Sequence, residues 1–201
     1  MKKNTEKKKK KQEIIKNYDL TSDFYDKRYV KIQHEKYNLV FQNFELTNKI
    51  ILDAGCGTGL LFDYFLNFFE CKFIVNYHYV AIDISNNMLK EFKSKLNQKV
   101  ESIRTKVNLI LSDLENLPIR ENIFNSVFSF TSFQNLPDIF KGLSESFRVI
   151  KDGADVYFSI LKKKLNMEQV NLRLQTSLKN MKTINQEFLE DIIFIGKALK
   201  E

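Results

Sequence analysis

Asp53-Ala54-Gly55-Cys56-Gly57-Thr58-Gly59 sets a carboxylate before three glycines at alternate positions, directly after the apolar run Ile50-Ile51-Leu52. A strand, a tight turn and a helix start in that order can hold a polar ligand against bare backbone. Gly55 and Gly57 lack a Cβ, so the chain there can take left-handed dihedrals and approach a ligand closely. The first N–H groups of the following helix have no partner inside the helix and point at whatever sits in the turn. Two nucleotide chemistries compete for such a turn. A dinucleotide site asks for G-x-G-x-x-G with a pyrophosphate on the helix N-terminus. Leu60 stands where the third glycine of that pattern would fall, and the Asp53 carboxylate repels a pyrophosphate but attracts an ammonium group. An amino-acid-bearing nucleoside therefore fits better than the dinucleotide of a dehydrogenase.

Two more acids stand at the ends of apolar runs. Val80-Ala81-Ile82-Asp83-Ile84 ends one strand pattern, and Val107-Asn108-Leu109-Ile110-Leu111-Ser112-Asp113-Leu114 ends the next. Taken singly, Asp83 or Asp113 reads equally well as a helix N-cap or a turn residue. Taken with the glycine turn, they are a joint constraint that few folds satisfy, because ligands of open α/β sheets collect at the carboxyl ends of the strands.

These segments resemble the class I S-adenosylmethionine-dependent methyltransferases. The turn at 53–59 is similar to their first motif. The resemblance implies that Asp83 accepts hydrogen bonds from the ribose hydroxyls, that Asp113 meets the adenine amine, and that the end of Phe124-Asn125-Ser126-Val127-Phe128-Ser129-Phe130-Thr131 lies beside the transferred methyl. The cofactor-contacting set it implies is Asp53, Ala54, Gly55, Cys56, Gly57 and Gly59 from the turn, Asp83 and Ile84, Ser112, Asp113 and Leu114, and Phe130. Tyr25, in a leading segment similar to the region that roofs the cofactor in that family, is added because an aromatic face attracts a sulfonium. Tyr25 and Tyr29 at i and i+4 also read as plain helix packing. The implied activity is methyl transfer from S-adenosylmethionine to a small-molecule or RNA acceptor. An inactive cofactor-binding module acting through a basic tail is the alternative.

Members that methylate exocyclic amines or amides resemble one another in an Asn/Asp-Pro-Pro-aromatic motif after the fourth strand. This chain has Ser129-Phe130-Thr131-Ser132-Phe133-Gln134-Asn135-Leu136-Pro137 there, which disfavours that activity. Transfer of an activated methyl draws much of its rate from in-line positioning, so no catalytic side chain is assigned. His34 and His78 stand in no constellation, Cys56 and Cys71 have no metal spacing, and no metal site is expected. Two unpaired cysteines suit a reducing, cytoplasmic compartment.

The elements that must position these residues follow from periodicity. Strands at 50–54, 79–83, 107–112, about 125–131 and 154–160 alternate with helices at about 58–69, Ser85 to about Leu96, Pro137–Val149 and 167–180. Met181–Ile184 and Ile192–Ile195 form a closing hairpin. The expectation is an α/β, doubly wound, mostly parallel seven-stranded sheet with an antiparallel last strand and helices on both faces. Tyr25, Tyr29, Ile32, Tyr37, Val40, Phe41 and Phe44 place a helix or helix pair over 22–46 ahead of a sheet core at 50–201, the whole of 13–201 being one domain. With 201 residues and 43% apolar content the chain can bury a full core.

The net charge of +7 is local. Lys2, Lys3 and Lys7 to Lys11 against the single acid Glu6 leave a remainder of 25 basic and 24 acidic residues. Residues 1–12 read as a disordered, solvated tail. Lys162-Lys163-Lys164 follows the fifth strand, on the edge where such sheets bind ligands, but a charge run after a strand is more often a loop meeting water. No apolar run is long enough for a membrane span, and no apolar segment follows the first lysines, so neither a membrane anchor nor a signal peptide is expected. Some compact members of the resembled family rely on a small zinc-ribbon activator subunit along the third strand, which here is Val107 to Leu111.

Overall fold

The computed structural model describes residues 2–41, 49–68, 77–164 and 166–200. The elements run α1 (Lys2–Val40), β1 (Lys49–Ala54), α2 (Leu60–Phe68), β2 (Tyr77–Asp83), α3 (Asn86–Asn97), the single turn α4 (Glu101–Arg104), β3 (Val107–Leu111), β4 (Phe124–Phe130), α5 (Ile139–Val149), β5 (Ile150–Leu161), α6 (Met167–Ser177), β6 (Leu178–Ile184) and β7 (Asp191–Ala198). The seven strands form one sheet in the order β3-β2-β1-β4-β5-β7-β6. β1 pairs in parallel with both β2 and β4, and β7 is antiparallel to β5 and β6. The expected doubly wound sheet with its closing hairpin is therefore present. Strand order reverses between β1 and β4, and the crevice at their carboxyl ends is the natural ligand position of such a sheet.

Alternation of period two along the strands divides the core. Ile51, Tyr79, Ala81 and Phe128 face one side, under α1, α2 and α3. Leu52, Ile82, Val127 and Phe158 face the other, under α5 and α6. The first layer is built largely of rings: Phe41 stands edge-on to Phe65 at 4.9 Å, and Phe128 stacks on Tyr157 at the same centroid distance. Each such ring, fully buried, contributes on the order of 1.5–3 kcal/mol.

Three sequence expectations need correction. Residues 2–12 are not a disordered tail but the first turns of α1, which runs on to Val40; of the helix or helix pair expected over 22–46, residues 42–46 lie outside the described residues. Lysine is a good helix former, and Lys7, Lys10 and Lys11 fall on one face at i, i+3 and i+4. There Lys7 pairs with Asp138 at 2.8 Å, Lys10 donates to the Leu136 carbonyl at 2.8 Å, and Lys11 pairs with Asp113 and Glu115. Acids and a carbonyl from distant loops thus offset the crowding of like charges. β5 begins at Ile150, ahead of the 154 start expected for the fifth strand, with a bulge against β4 between Phe124 and Ser126. Residues 178–180 are strand rather than helix, and a register shift between Lys179 and Lys182 accommodates Asn180 at φ 53°. Phe44 and Cys71 lie outside the described residues.

Candidate functional site

Two adjoining cavities open at the β1/β4 crevice, and both are lined by Tyr25, Gly55 and Gly57. The larger encloses about 620 Å³ of empty space, part of it open to solvent, and runs from the glycine turn past Asp83 and Ile84 to Asp113 and Leu114. Gly55 and Gly57 have φ of 82° and 54°, in the left-handed region that only glycine occupies without strain. A Cβ on Gly55 would also lie 2.2 Å from the Ser132 hydroxyl. The turn is tied to β2: the Gly55 and Cys56 N–H groups donate to the Ile82 carbonyl at 2.8 and 3.0 Å, and the Gly57 N–H donates to Asp83 Oδ2 at 2.9 Å. Asp83 also accepts from the Ser85 N–H at 2.8 Å. Burial raises its pKa above the ordinary carboxylate value even though these N–H groups pull it down. Asp113 accepts from the Glu115 N–H at 2.9 Å and pairs with Lys11, whose own pKa rises because Asp113 and Glu115 outweigh the effect of burial.

α1 roofs the larger cavity with Lys11, Ile14, Tyr18 and Tyr25. Asp19 holds α1 in place: it accepts from the Ser85 hydroxyl at 2.5 Å and the Asn87 N–H at 3.2 Å, at the N-terminus of α3. Ser85 caps that helix, its hydroxyl oxygen accepting from the Met88 N–H. Burial, then the nearby Asp83 charge, pushes the Tyr18 phenol up to about 12, so Tyr18 is a neutral hydrogen-bonding group; it accepts from Asn135 Nδ2 at 2.7 Å.

The smaller cavity lies between the turn and α1. Asp53, Gln33, Tyr37 and Phe130 line it together with the three shared residues. Asp53 is 3% exposed, and its Oδ2 accepts from the Tyr79 hydroxyl at 2.7 Å. Burial nonetheless pushes its pKa up to about 7. Gln33 Oε1 is buried without a hydrogen-bond partner, a state that costs about 1–3 kcal/mol. Below it runs a polar chain. Gln33 Nε2 donates to Thr131 Oγ1 at 3.4 Å, Lys36 Nζ donates to the same oxygen and to Asp191 Oδ2 at 2.7 Å each, and the Thr131 hydroxyl and Ser159 hydroxyl donate to Asp191 Oδ2. Thr131 itself sits at φ 57°, a backbone strain at the end of β4 of the kind that clusters at functional sites.

Of the residues singled out from sequence, Tyr25, Gly55, Gly57, Asp83, Ile84, Asp113 and Leu114 line the larger cavity, and Asp53, Cys56 and Phe130 line the smaller. Three line neither. Ala54 is fully buried and its carbonyl accepts from the Ser129 hydroxyl; Gly59 packs under the Phe92 ring, 2.5 Å from where a Cβ would stand; the Ser112 N–H donates to the Asp83 carbonyl. Their work is to shape the strand tips. Cys56 is buried and its thiol is pushed well up by burial and then by Asp53 and Asp83, which rules it out as a nucleophile at neutral pH. His78 is exposed, and His34 packs against Tyr64. Lys162 donates to the Gln186 and Leu189 carbonyls and so anchors the β6–β7 loop. Among the described residues no cluster of His, Cys, Asp or Glu could hold a metal ion, and no helix is long and apolar enough to cross a membrane. Sequence reasoning missed Lys11, Ile14, Tyr18, Gln33 and Thr131. A signal for the first three was present, since 7, 11, 14, 18, 25 and 29 continue one helical stripe.

The methyltransferase-domain family matches residues 52–158, from within β1 to within β5. Malonyl-[acyl-carrier protein] O-methyltransferase of Hamiltonella defensa is 30% identical over 125 residues, covering 62% of this chain and 43% of that protein. The chain spans about half the length of the curated relatives it matches. Magnesium protoporphyrin IX methyltransferase of Synechocystis, solved with bound S-adenosylmethionine, superposes with a TM-score of 0.72 at 15% identity, covering 94% of this chain and 97% of that one. A Haloferax volcanii chain solved in complex with the Trm112 methyltransferase activator gives 0.65 at 14% identity, covering 91% and 98%. At such identities these two likenesses speak to the fold alone. With the family match spanning the glycine turn, both acid-tipped strands and most of β5, the chain belongs to the class I S-adenosylmethionine-dependent methyltransferases.

Proposed function

We propose that the chain binds S-adenosylmethionine along the two cavities and passes its methyl to a small acceptor that enters at the end of β4. The observation that carries this is the convergence on one crevice of a glycine turn in left-handed backbone, Asp83 at the tip of β2 and Asp113 just beyond β3. Asp83 would take the ribose hydroxyls, Asp113 with Leu114 the adenine, and Asp53 the amino-acid ammonium. These groups lie in the order of the cofactor's own parts. The cofactor supplies an activated methyl, so the protein's task is to hold the acceptor in line and keep water out, a task worth several powers of ten in rate. α1 does the second by roofing the site.

Calorimetric titration with S-adenosylhomocysteine tests the cofactor reading. Binding by the intact chain and at least a tenfold loss in Asp83→Ala are expected; absence of binding by the intact chain would overturn it. Transfer from methyl-labelled cofactor then finds the acceptor. Malonyl thioesters are the first class to try, because several of the curated relatives are malonyl-[acyl-carrier protein] O-methyltransferases, and RNA is the second. Cofactor binding with no labelled acceptor in any extract would favour a non-catalytic binding module instead.

A second reading concerns a protein partner. β3 is the outer strand of the sheet, and Leu111 is 56% exposed on it. An open edge is a template for an added strand, and a small activator subunit, such as the one bound to the Haloferax volcanii chain, would have a place to pair. Size-exclusion chromatography with multi-angle scattering tests this: an active, monodisperse monomer counts against it.

A further inference from the structure

We propose that Gln33 is a positioning residue: its side-chain carbonyl accepts a hydrogen bond from a primary ammonium group seated beside Asp53, and it thereby sets the amino-acid end of the ligand relative to Thr131 at the end of β4. The proposal rests on the cofactor reading above and deepens it.

The Thr131 hydroxyl proton is committed to Asp191, at 2.8 Å, so Thr131 Oγ1 can only accept from Gln33. Lys36 also donates to that oxygen, and Lys36 and Asp191 are both buried. The chain of bonds fixes the Gln33 amide nitrogen toward Thr131 and turns its carbonyl oxygen the other way. That oxygen is buried, has no partner, and belongs to a residue that lines the smaller cavity and is 4% exposed.

The cavity that Gln33 lines selects for a cation. None of its lining residues is basic. A carboxylate, an amide carbonyl and the rings of Tyr25, Tyr37 and Phe130 surround it, and each of these favours positive charge. An ammonium group has three N–H bonds to distribute, and Asp53 has one oxygen already engaged by Tyr79. Gln33 supplies the second acceptor. Because the same side chain reaches Thr131 at the end of β4, a shift of the ammonium is passed directly to the place where the methyl leaves.

The test is calorimetry on the full chain with two probes, S-adenosylhomocysteine and 5′-methylthioadenosine, which lacks the amino-acid group. In Gln33→Met, of nearly the same size but without the carbonyl, affinity for S-adenosylhomocysteine should fall about tenfold, while affinity for 5′-methylthioadenosine stays within about twofold. Retained binding of the second probe also reports that the variant is folded. Gln33→Glu keeps an oxygen acceptor and should bind S-adenosylhomocysteine within about threefold of the intact chain at pH 8. An unchanged affinity in Gln33→Met, an equal loss for both probes, or a loss in Gln33→Glu as large as in Gln33→Met would each overturn the proposal and leave the cofactor reading standing. Failure of the intact chain to bind either probe would sink the cofactor reading, and the role of Gln33 with it.

Discussion

Cofactor affinity should depend on pH through Asp53, and the size of the effect follows from its surroundings. Burial raises the carboxyl to about 7 against an ordinary value of 3.8. Without a ligand, Asp53 is therefore about one-tenth ionised at pH 6 and about nine-tenths ionised at pH 8. An ammonium seated beside it restores the ordinary preference for the charged form, so binding must first expel the proton. Affinity for S-adenosylhomocysteine should fall about tenfold from pH 8 to pH 6, near 1.4 kcal/mol, and complex formation at pH 6.5 should release protons that calorimetry in buffers of different ionisation enthalpy can count. Asp83 is raised as well, so part of the slope belongs to it. The decisive quantity is the difference between the intact chain and Asp53→Asn, which should bind more weakly at pH 8 but with a flatter profile. The empty protein should show the opposite trend. Between about pH 4 and 7 the folded chain holds a proton at Asp53 that the unfolded chain has lost, so folding stability declines as pH rises through that window, by up to about 4 kcal/mol for this group. Asp53→Asn should therefore melt higher than the intact protein at pH 8 while binding worse. Equal slopes of binding against pH in the two proteins, or a lower melting temperature for the variant, would refute the reasoning.

Lys36→Met should cost about 3–5 kcal/mol in urea unfolding, because it leaves Asp191 buried without its ion-pair partner; the double change Lys36→Met with Asp191→Leu should recover most of that loss. Gly59→Ala drives a Cβ to within 2.5–2.7 Å of the Phe92 ring at φ 84°, so a loss of about 1–3 kcal/mol is expected, with α3 displaced and S-adenosylhomocysteine affinity reduced; a variant as stable as the intact chain would contradict the packing described for the turn.

Most of the sheet was legible in the sequence because its signals are local. Ile50-Ile51-Leu52 and Tyr79-Val80-Ala81-Ile82 are short apolar runs ended by glycine or aspartate, and the alternation that follows fixes a doubly wound order. Asp83 and Asp113 were legible for the same reason: a strand-end acid keeps its place at the crevice whatever lies around it. Lys7, Lys10 and Lys11 were not. Read alone, a run of lysines is a repelling tail, and only Asp113, Glu115 and Asp138, more than 100 residues away in the chain, turn it into an ordered helix end. Gln33 and Thr131 were hidden in the same way. A glutamine on an amphipathic helix and a threonine after a strand have no chemistry of their own until the fold lays one on the other and closes them over a carboxylate. Leu178 to Asn180 continued a helical pattern, but pairing with β7 at the sheet edge claimed them for a strand.

Because α1 serves at once as the lid of the crevice and, through Tyr37, Phe41 and Lys36, as part of the protein's interior, occupancy of the crevice is coupled to the melting of the whole molecule. A compound held at a hundred times its dissociation constant should raise the unfolding free energy by about 2.7 kcal/mol. Plain thermal-shift screening of metabolite collections, run with S-adenosylhomocysteine already in place, therefore becomes a practical way to identify the methyl acceptor.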